Sequence, residues 1–455
     1  MSHPSSPIQE LRRSTSMASE QSTVNDGPQA PAYTSSFFER GVAAAESRKT
    51  YMKVMLAGIV MVACIIFGIF SIYWGALWKI PTHQLRGWVI DFDGDRIGST
   101  VSEALVQSSA GGSKVHWISR SANEFPNGVS DVADAILDEQ AWIAVTINDA
   151  ATSNLQRAIA SVNASYNGSS ALTAYGVESR NENAYRTILN PVLQSTMQQI
   201  STQFARQTAA QIANSSNMSQ ILGSAPQLIV QPVFYTLVNI RPFDVPVASA
   251  VTFVGCIYQI ILAFFVVVIA GGAREASGLE RKLTTLSLIH VRMVTSFVAY
   301  FILSLLYSLL SLAFQVPFDR KYDHAGFVIF WMINYVGMLA LGLALEAMIT
   351  LLTVRLIPFF LILWIISNVS VAFMPIEVLP AVFRYGYGFP VYNISHAVRS
   401  IIFGAKNNLG LNFGIVIAWA AVSCITLPLF QWIARRRLAA ASGSRPVDIV
   451  KEDKQ

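Results

Sequence analysis

Three carboxylates in Asp91-Phe-Asp93-Gly-Asp95, placed just after an apolar run, are the first residues in the chain that could do chemistry. Two aspartates two apart at the end of a strand can act as nucleophile and general acid in magnesium-dependent phosphoryl transfer. Asp95 stands where such sites carry Thr or Val, and no later Lys or acidic pair completes the set. The segment also opens like a calcium loop, but the glycine comes one place early and the closing Glu is missing. A strand ending in a polar turn is the simpler reading and is preferred. The chain is therefore expected not to be an enzyme, and an ectoenzyme using Asp91 and Asp93 ranks last among three functional readings.

Glu346 is the second candidate, in the apolar context Gly342-Leu-Ala-Leu-Glu346-Ala-Met. A carboxylate at the centre of a membrane helix costs about 2.5–3.5 kcal/mol on insertion scales, so it normally faces a partner or an aqueous path. A structural role, with pairing towards Arg355, is weighed against substrate or proton handling. Asn334 and Asn368 are further polar residues in apolar runs and are read as interhelical hydrogen-bonding groups. No phosphate loop, nucleophile elbow, paired-histidine zinc motif or dinucleotide fingerprint occurs; Gly111-Gly-Ser-Lys114 has the wrong spacing. No cofactor and no metal are expected. Energy for any transport must come from a partner, an ion gradient or downhill flow.

The elements that position these residues are membrane helices. Of 455 residues 53% are hydrophobic and only 13% charged. A soluble domain devotes about a quarter of its residues to charge, so the deficit points to lipid. The net charge of +5 sits beside apolar runs rather than in a basic stripe, which excludes nucleic acid as a partner. The predicted class is a multi-pass α-helical protein of about six spans, one plus five. The predicted spans are residues 54–74, 247–270, 293–314, 327–352, 356–373 and 413–433. An extracytoplasmic α/β domain occupies 78–245 between the first two. Residues 1–48 and 435–455 are read as cytosolic tails, the former disordered because it lacks an apolar period. Within the domain, strands are expected at 87–93 and 141–147, helices at 97–107 and 153–162, one or two helices over 181–213, and an extended run at 227–240. Cys64, Cys256 and Cys424 all lie in apolar runs, so no disulfide holds the domain.

Orientation is argued twice. Arg48, Lys49, Lys53, Arg274, Arg281, Lys282, Arg292, Arg355, Arg435, Arg436 and Arg437 fall on one side, the cytosol by the positive-inside rule. Sequons at Asn163, Asn167, Asn214 and Asn217 fall on the other, as glycosylation requires. A fifth, at Asn368, lies within a span and is expected to go unused. Arg12-Arg13-Ser14-Thr15 is a weak basophilic kinase motif that nominates Thr15. Residues 375–404, apolar but broken by Pro and Gly, suit a re-entrant helical pair on the external face.

The one-plus-five layout, and the series Leu379, Pro380, Arg384, Pro390 and Arg399, resemble the membrane part of type-2 ABC exporters. Trp88-Val-Ile-Asp-Phe-Asp-Gly94, Gln231-Pro-Val, Asn239-Ile-Arg-Pro-Phe243 and Phe373-Met-Pro-Ile-Glu-Val-Leu-Pro380 resemble the fungal nitrosoguanidine-resistance membrane protein family. The layout is also similar to bacterial phage-infection membrane proteins. The resemblance implies a plasma-membrane protein tied to drug and mutagen resistance and to phospholipid distribution, and a homodimer by analogy with paired exporter blocks. The leading expectation is a permease-like exporter of amphipathic compounds without its own ATPase, working with a partner ATPase or pump. Glu346, Pro380, Arg384 and Pro390 are the expected path or gating residues. The alternative is a non-transporting scaffold that alters lipid asymmetry or stabilises a pump.

Overall fold

A computed structural model describes residues 36–213 and 215–441. Thr15 and Asn214 lie outside the described residues, as does the side chain of Arg355. The contacts divide the chain at Cys64. The part before it is chiefly the start of helix α1, Val42–Leu77, 36 residues long and apolar enough to span a bilayer. This helix begins at Val42, inside the stretch read as a disordered tail, because Val42-Ala-Ala-Ala-Glu-Ser-Arg48 contains only helix-compatible residues.

Beyond α1 the chain forms an α/β domain. Strand β1 (Leu85–Asp91) is followed by α2 (Arg96–Ala110), β2 (Val115–Arg120), α3 (Val129–Leu137), β3 (Ile143–Ile147) and α4 (Ala151–Ser161). Then come β4 (Leu172–Gly176), the long α5 (Asn190–Ile212) and β5 (Tyr235–Asn239). The sheet order is β2-β1-β3-β4-β5, parallel except where β4 runs against β3. Along β1 the side chains alternate: Leu85 and Val89 pack with Ile97, Val101 and Leu105 of α2, while Trp88 and Ile90 pack with Val132 and Ile136 of α3. Both faces are thus covered, which is why the strand reads as a continuous apolar run. Burying each such side chain contributes about 1.5–3 kcal/mol. The run at 227–240 is not wholly extended: Gln227–Val230 is a helical turn, and only Tyr235–Asn239 pairs in the sheet.

The remaining helices form the membrane block: α6 (Pro246–Ala276), α7 (Thr285–Ala313), α8 (Ala325–Val369), α9 (Pro390–Phe403) and α10 (Leu409–Ala441). With α1, five helices among the described residues are long and apolar enough to cross a membrane, and the chain is a multi-pass helical membrane protein. Element α8 comprises a limb Ala325–Leu352 and a shorter apolar limb Leu356–Val369. Gly337 on the first limb lies against Ile394 of α9, and Asn368 on the second bonds Val391 of the same helix. A straight helix would separate those two positions by about 46 Å, so the limbs must double back between them. The expected fifth crossing, 356–373, is helical only to Val369, and its limb from Leu356 spans about 21 Å. Between it and α9 the chain makes two 3-10 turns, Ile376–Val378 and Ala381–Gly388. The anticipated helical pair is therefore one pair of turns and one true helix.

Candidate functional site

Helix α7 is built inside out. Its buried residues are Leu288, Arg292, Ser296, Tyr300, Ser304, Ser308 and Ser311, a single stripe at spacings of four and three. Its exposed residues include Val294, Val298, Ile302, Leu306 and Leu310. In water that arrangement would be unstable; against lipid tails it places every hydroxyl where a neighbouring helix can bond it.

The facing helices answer with polar groups at matching heights. Trp331 of α8 donates its indole N–H to Ser304 Oγ (3.1 Å), and Asn334 donates to Ser308 Oγ (3.2 Å). Gln259 of α6 donates to Asn334 Oδ1 (2.7 Å). Tyr300 donates to the Ala263 carbonyl (3.2 Å). Gly342 permits the close approach, since a Cβ there would lie 2.1 Å from Tyr300 Oη. The Gln259 and Tyr307 side chains are buried beside each other in this seam.

At the end remote from the α/β domain the seam closes on Glu346. One carboxylate oxygen, Oε1, accepts from Arg274 Nη2 (2.9 Å) and from Arg292 Nε (2.6 Å). Arg292 also donates to the Glu346 carbonyl (2.5 Å) and to Gln431 of α10. Four helices, α6, α7, α8 and α10, are thus joined through one buried charge cluster. Glu346 Oε2 and Arg274 Nε stay buried and unpartnered.

The opposite end joins the seam to the α/β domain. Ser395 of α9 donates to the Thr252 carbonyl of α6 (2.5 Å). One turn on, Arg399 Nη1 bonds Glu182 Oε2 (2.5 Å) and the Ser179 carbonyl (3.0 Å). Burial raises the Glu182 carboxyl pKa, but the charge and hydrogen bond of Arg399 outweigh it and hold the group below its ordinary value. Beside this pair, Arg180 lies 3.5 Å over the Trp142 ring and reaches Glu377 on the first 3-10 turn (3.2 Å). Asn181 and Asn183 both donate to the Phe373 carbonyl (3.2 and 3.1 Å). The space left between Arg180, Glu377, His396 and Arg399 is about 20 Å³, room for one water.

The structure separates the expected path residues. Glu346 lies at one end, while Pro380, Arg384 and Pro390 lie at the other, on or beside the 3-10 turns. Pro390 is buried at the first position of α9, Pro380 is half-buried, and Arg384 is exposed. The partners of Glu346 are Arg274 and Arg292, two cations that the sequence offered only as flanking charges. The serine stripe went unread: its four-residue period is present in the sequence, but the hydropathy of the run hid it. Asn334 does bond across helices, to Gln259 and Ser308, and Asn368 holds the Val391 amide. Asp91 accepts from the amides of Asp93 and Gly94, Asp93 holds Thr152, and Asp95 caps α2. These are the bonds of a strand end and a helix start. Among the sequon residues, Asn163 and Asn167 are exposed and Asn217 is half-buried. Among the described residues no His, Cys, Asp and Glu group could hold a metal.

A family model described as "Protein of unknown function (DUF3533)" matches residues 58–425. The chain is 25% identical over 440 residues to a Saccharomyces cerevisiae protein named an uncharacterised endoplasmic reticulum membrane protein, covering 90% of this chain and 85% of that one. No solved structure matches.

Proposed function

The chain belongs to the family so described, and from that premise we propose that it is a permease-like membrane protein whose polar seam carries the head of an amphipathic compound between leaflets. The observation that carries the reading is the buried stripe of α7, with hydroxyl and amide groups facing one another from Arg292 to Ser311. Intramembrane polar groups face the bundle interior, where they bond neighbouring helices and can line a substrate route. The α/β domain, fastened through Arg399 and Arg180, acts as the gate on its side. In this role the protein is a conduit rather than an enzyme, and drives export with a partner ATPase or pump, as a pair of chains.

The α/β domain is assigned to the extracytoplasmic side and both termini to the cytosol. Arg274, Arg281, Lys282, Arg292 and Arg435 gather at the end remote from that domain, which supports this assignment under the positive-inside rule. Asn163 and Asn167, exposed on the domain, are the expected glycan acceptors, with Asn214 and Asn217 as further candidates. The relative's name supports an endoplasmic reticulum address and the resemblance supports the plasma membrane; fluorescence microscopy of the tagged chain separates them.

The test is accumulation of labelled amphipathic compounds, a nitrosoguanidine among them, in cells lacking or overproducing the chain. Lower accumulation on overproduction supports the permease. Unchanged accumulation with altered resistance removes it, and favours the scaffold reading, for which the dense bonding of the seam is the supporting observation.

A further inference from the structure

The charge cluster at the foot of the seam is not balanced. It holds two guanidiniums against one carboxylate, all three side chains nearly inaccessible. Uncompensated charge in such a place is unfavourable unless something completes it. The two arginines are used differently. Arg292 spends Nε, Nη1 and Nη2 on Glu346 and Gln431. Arg274 gives Nη2 to Glu346, and its Nε is buried without a partner. Among the donors of the cluster the unused capacity is therefore on Arg274, while Glu346 Oε2 is the unpartnered acceptor.

Arg274 is 7% exposed, and two glycines of its own helix lie close to it in the chain. Gly271, one turn earlier on the same helix, is half-buried, and a Cβ there would lie 3.8 Å from Arg274 Nη2. Gly272 is exposed with nothing near it. No side chain from these two positions stands between the guanidinium and the lipid phase. The turns that follow α6 and the end of α10 carry Arg281, Lys282, Arg435, Arg436 and Arg437 against Glu275 and Glu280. Arg435 bonds the Glu280 and Leu283 carbonyls, which brings the end of α10 to the connection between α6 and α7. Exposed Ile269 and Leu286 lie on the flanking turns, where an acyl chain would run.

We propose that Arg274, approached across Gly271 and Gly272, is a binding site for the anionic headgroup of a phospholipid in the leaflet at that end. The headgroup oxygens take up the free guanidinium capacity and neutralise the surplus charge, while the flanking cations raise the local concentration of anionic lipid. The site is independent of transport: it can hold whether or not the seam conducts anything.

The test uses the purified full chain in detergent, with phosphatidylglycerol and phosphatidylcholine of identical acyl chains, each titrated and read by native mass spectrometry. Phosphatidylglycerol is expected to bind more tightly by about five-fold or more, the worth of one cation near an anionic surface. Gly271→Leu leaves every charge in place but lays a side chain over Arg274, and is expected to abolish the preference; Arg274→Gln should do the same. Equal binding of the two lipids by the unaltered chain overturns the proposal. So does a preference that survives Gly271→Leu in protein that elutes as the unaltered chain does. Inorganic phosphate that competes as well as the whole lipid would show a free-anion site and overturn the lipid assignment.

Discussion

Replacing Glu346 by Gln tests whether the charge cluster holds the bundle together. The substitution keeps the shape of the side chain and removes the carboxylate that Arg274 and Arg292 approach at 2.9 and 2.6 Å. Two buried guanidiniums then face each other without a counter-charge. Removing one partner of a buried pair costs about 3–5 kcal/mol, and here the loss falls on two cations at once, so the upper part of that range is expected. Set against a total stability of about 5–15 kcal/mol, this is a large share. Arg274→Gln is the contrasting change. It leaves a one-to-one Glu346–Arg292 pair with its bonds to Gln431 and the Glu346 carbonyl intact. Thermal unfolding of both variants in detergent, followed by size-exclusion of a fluorescent fusion, should rank them: Glu346→Gln far below the unaltered chain, Arg274→Gln close to it. A Glu346→Gln protein as stable as Arg274→Gln would refute the clamp and return Glu346 to the path residues.

Other consequences can be measured in the same preparations. Gly342→Ala puts a Cβ 2.1 Å from Tyr300 Oη, so α7 and α8 must part and stability should fall by about 1–3 kcal/mol, read as an earlier unfolding midpoint. Glu182 has a depressed pKa in the folded chain. Its contribution is complete above the ordinary glutamate value of 4.5 and is lost as pH falls from there through the folded value. Between neutral pH and pH 4 the unaltered chain should therefore lose more stability than Glu182→Gln, measured as unfolding midpoint against pH. If the α/β domain is lumenal or external, Asn163→Gln and Asn167→Gln should each raise gel mobility, and glycosidase treatment should erase the difference. No shift in either variant, nor after treatment, argues against that side.

Much of the fold was legible because lipid imposes a simple rule. Apolar runs about 20 residues long announced α6, α7, α10 and the first limb of α8, and the buried β1 announced itself by Trp88-Val-Ile90. Boundaries were harder to read. Helix α1 starts well before its apolar stretch because Ala and Arg prolong a helix into water as readily as Val does in lipid. Strand β4 went unnoticed, since Leu172-Thr-Ala-Tyr-Gly176 is short and half polar and owes its conformation to pairing with β3 and β5. The site was legible only as single residues. Glu346 stood out by its setting, but hydropathy cannot say which of many flanking cations folds back to meet it. Arg274 and Arg292 are 72 and 54 residues away from it in the chain. Pro380, Arg384 and Pro390 were drawn from a motif, and a motif carries no distance to Glu346.

The pair Arg399–Glu182 joins residues 217 positions apart. During synthesis at about 5–20 residues per second, the glutamate leaves the ribosome roughly 10–40 s before the arginine exists. The α/β domain thus has time to fold around Ser179, Arg180 and Glu182 while only α1 anchors it. The later helices then arrive at a surface already shaped to receive α9. Assembly has a direction, from domain to membrane block, and a domain that fails to fold leaves Arg399 with no counter-charge to meet. Such a chain would present a cation stranded at the membrane face, a mark by which a defective copy differs from a finished one.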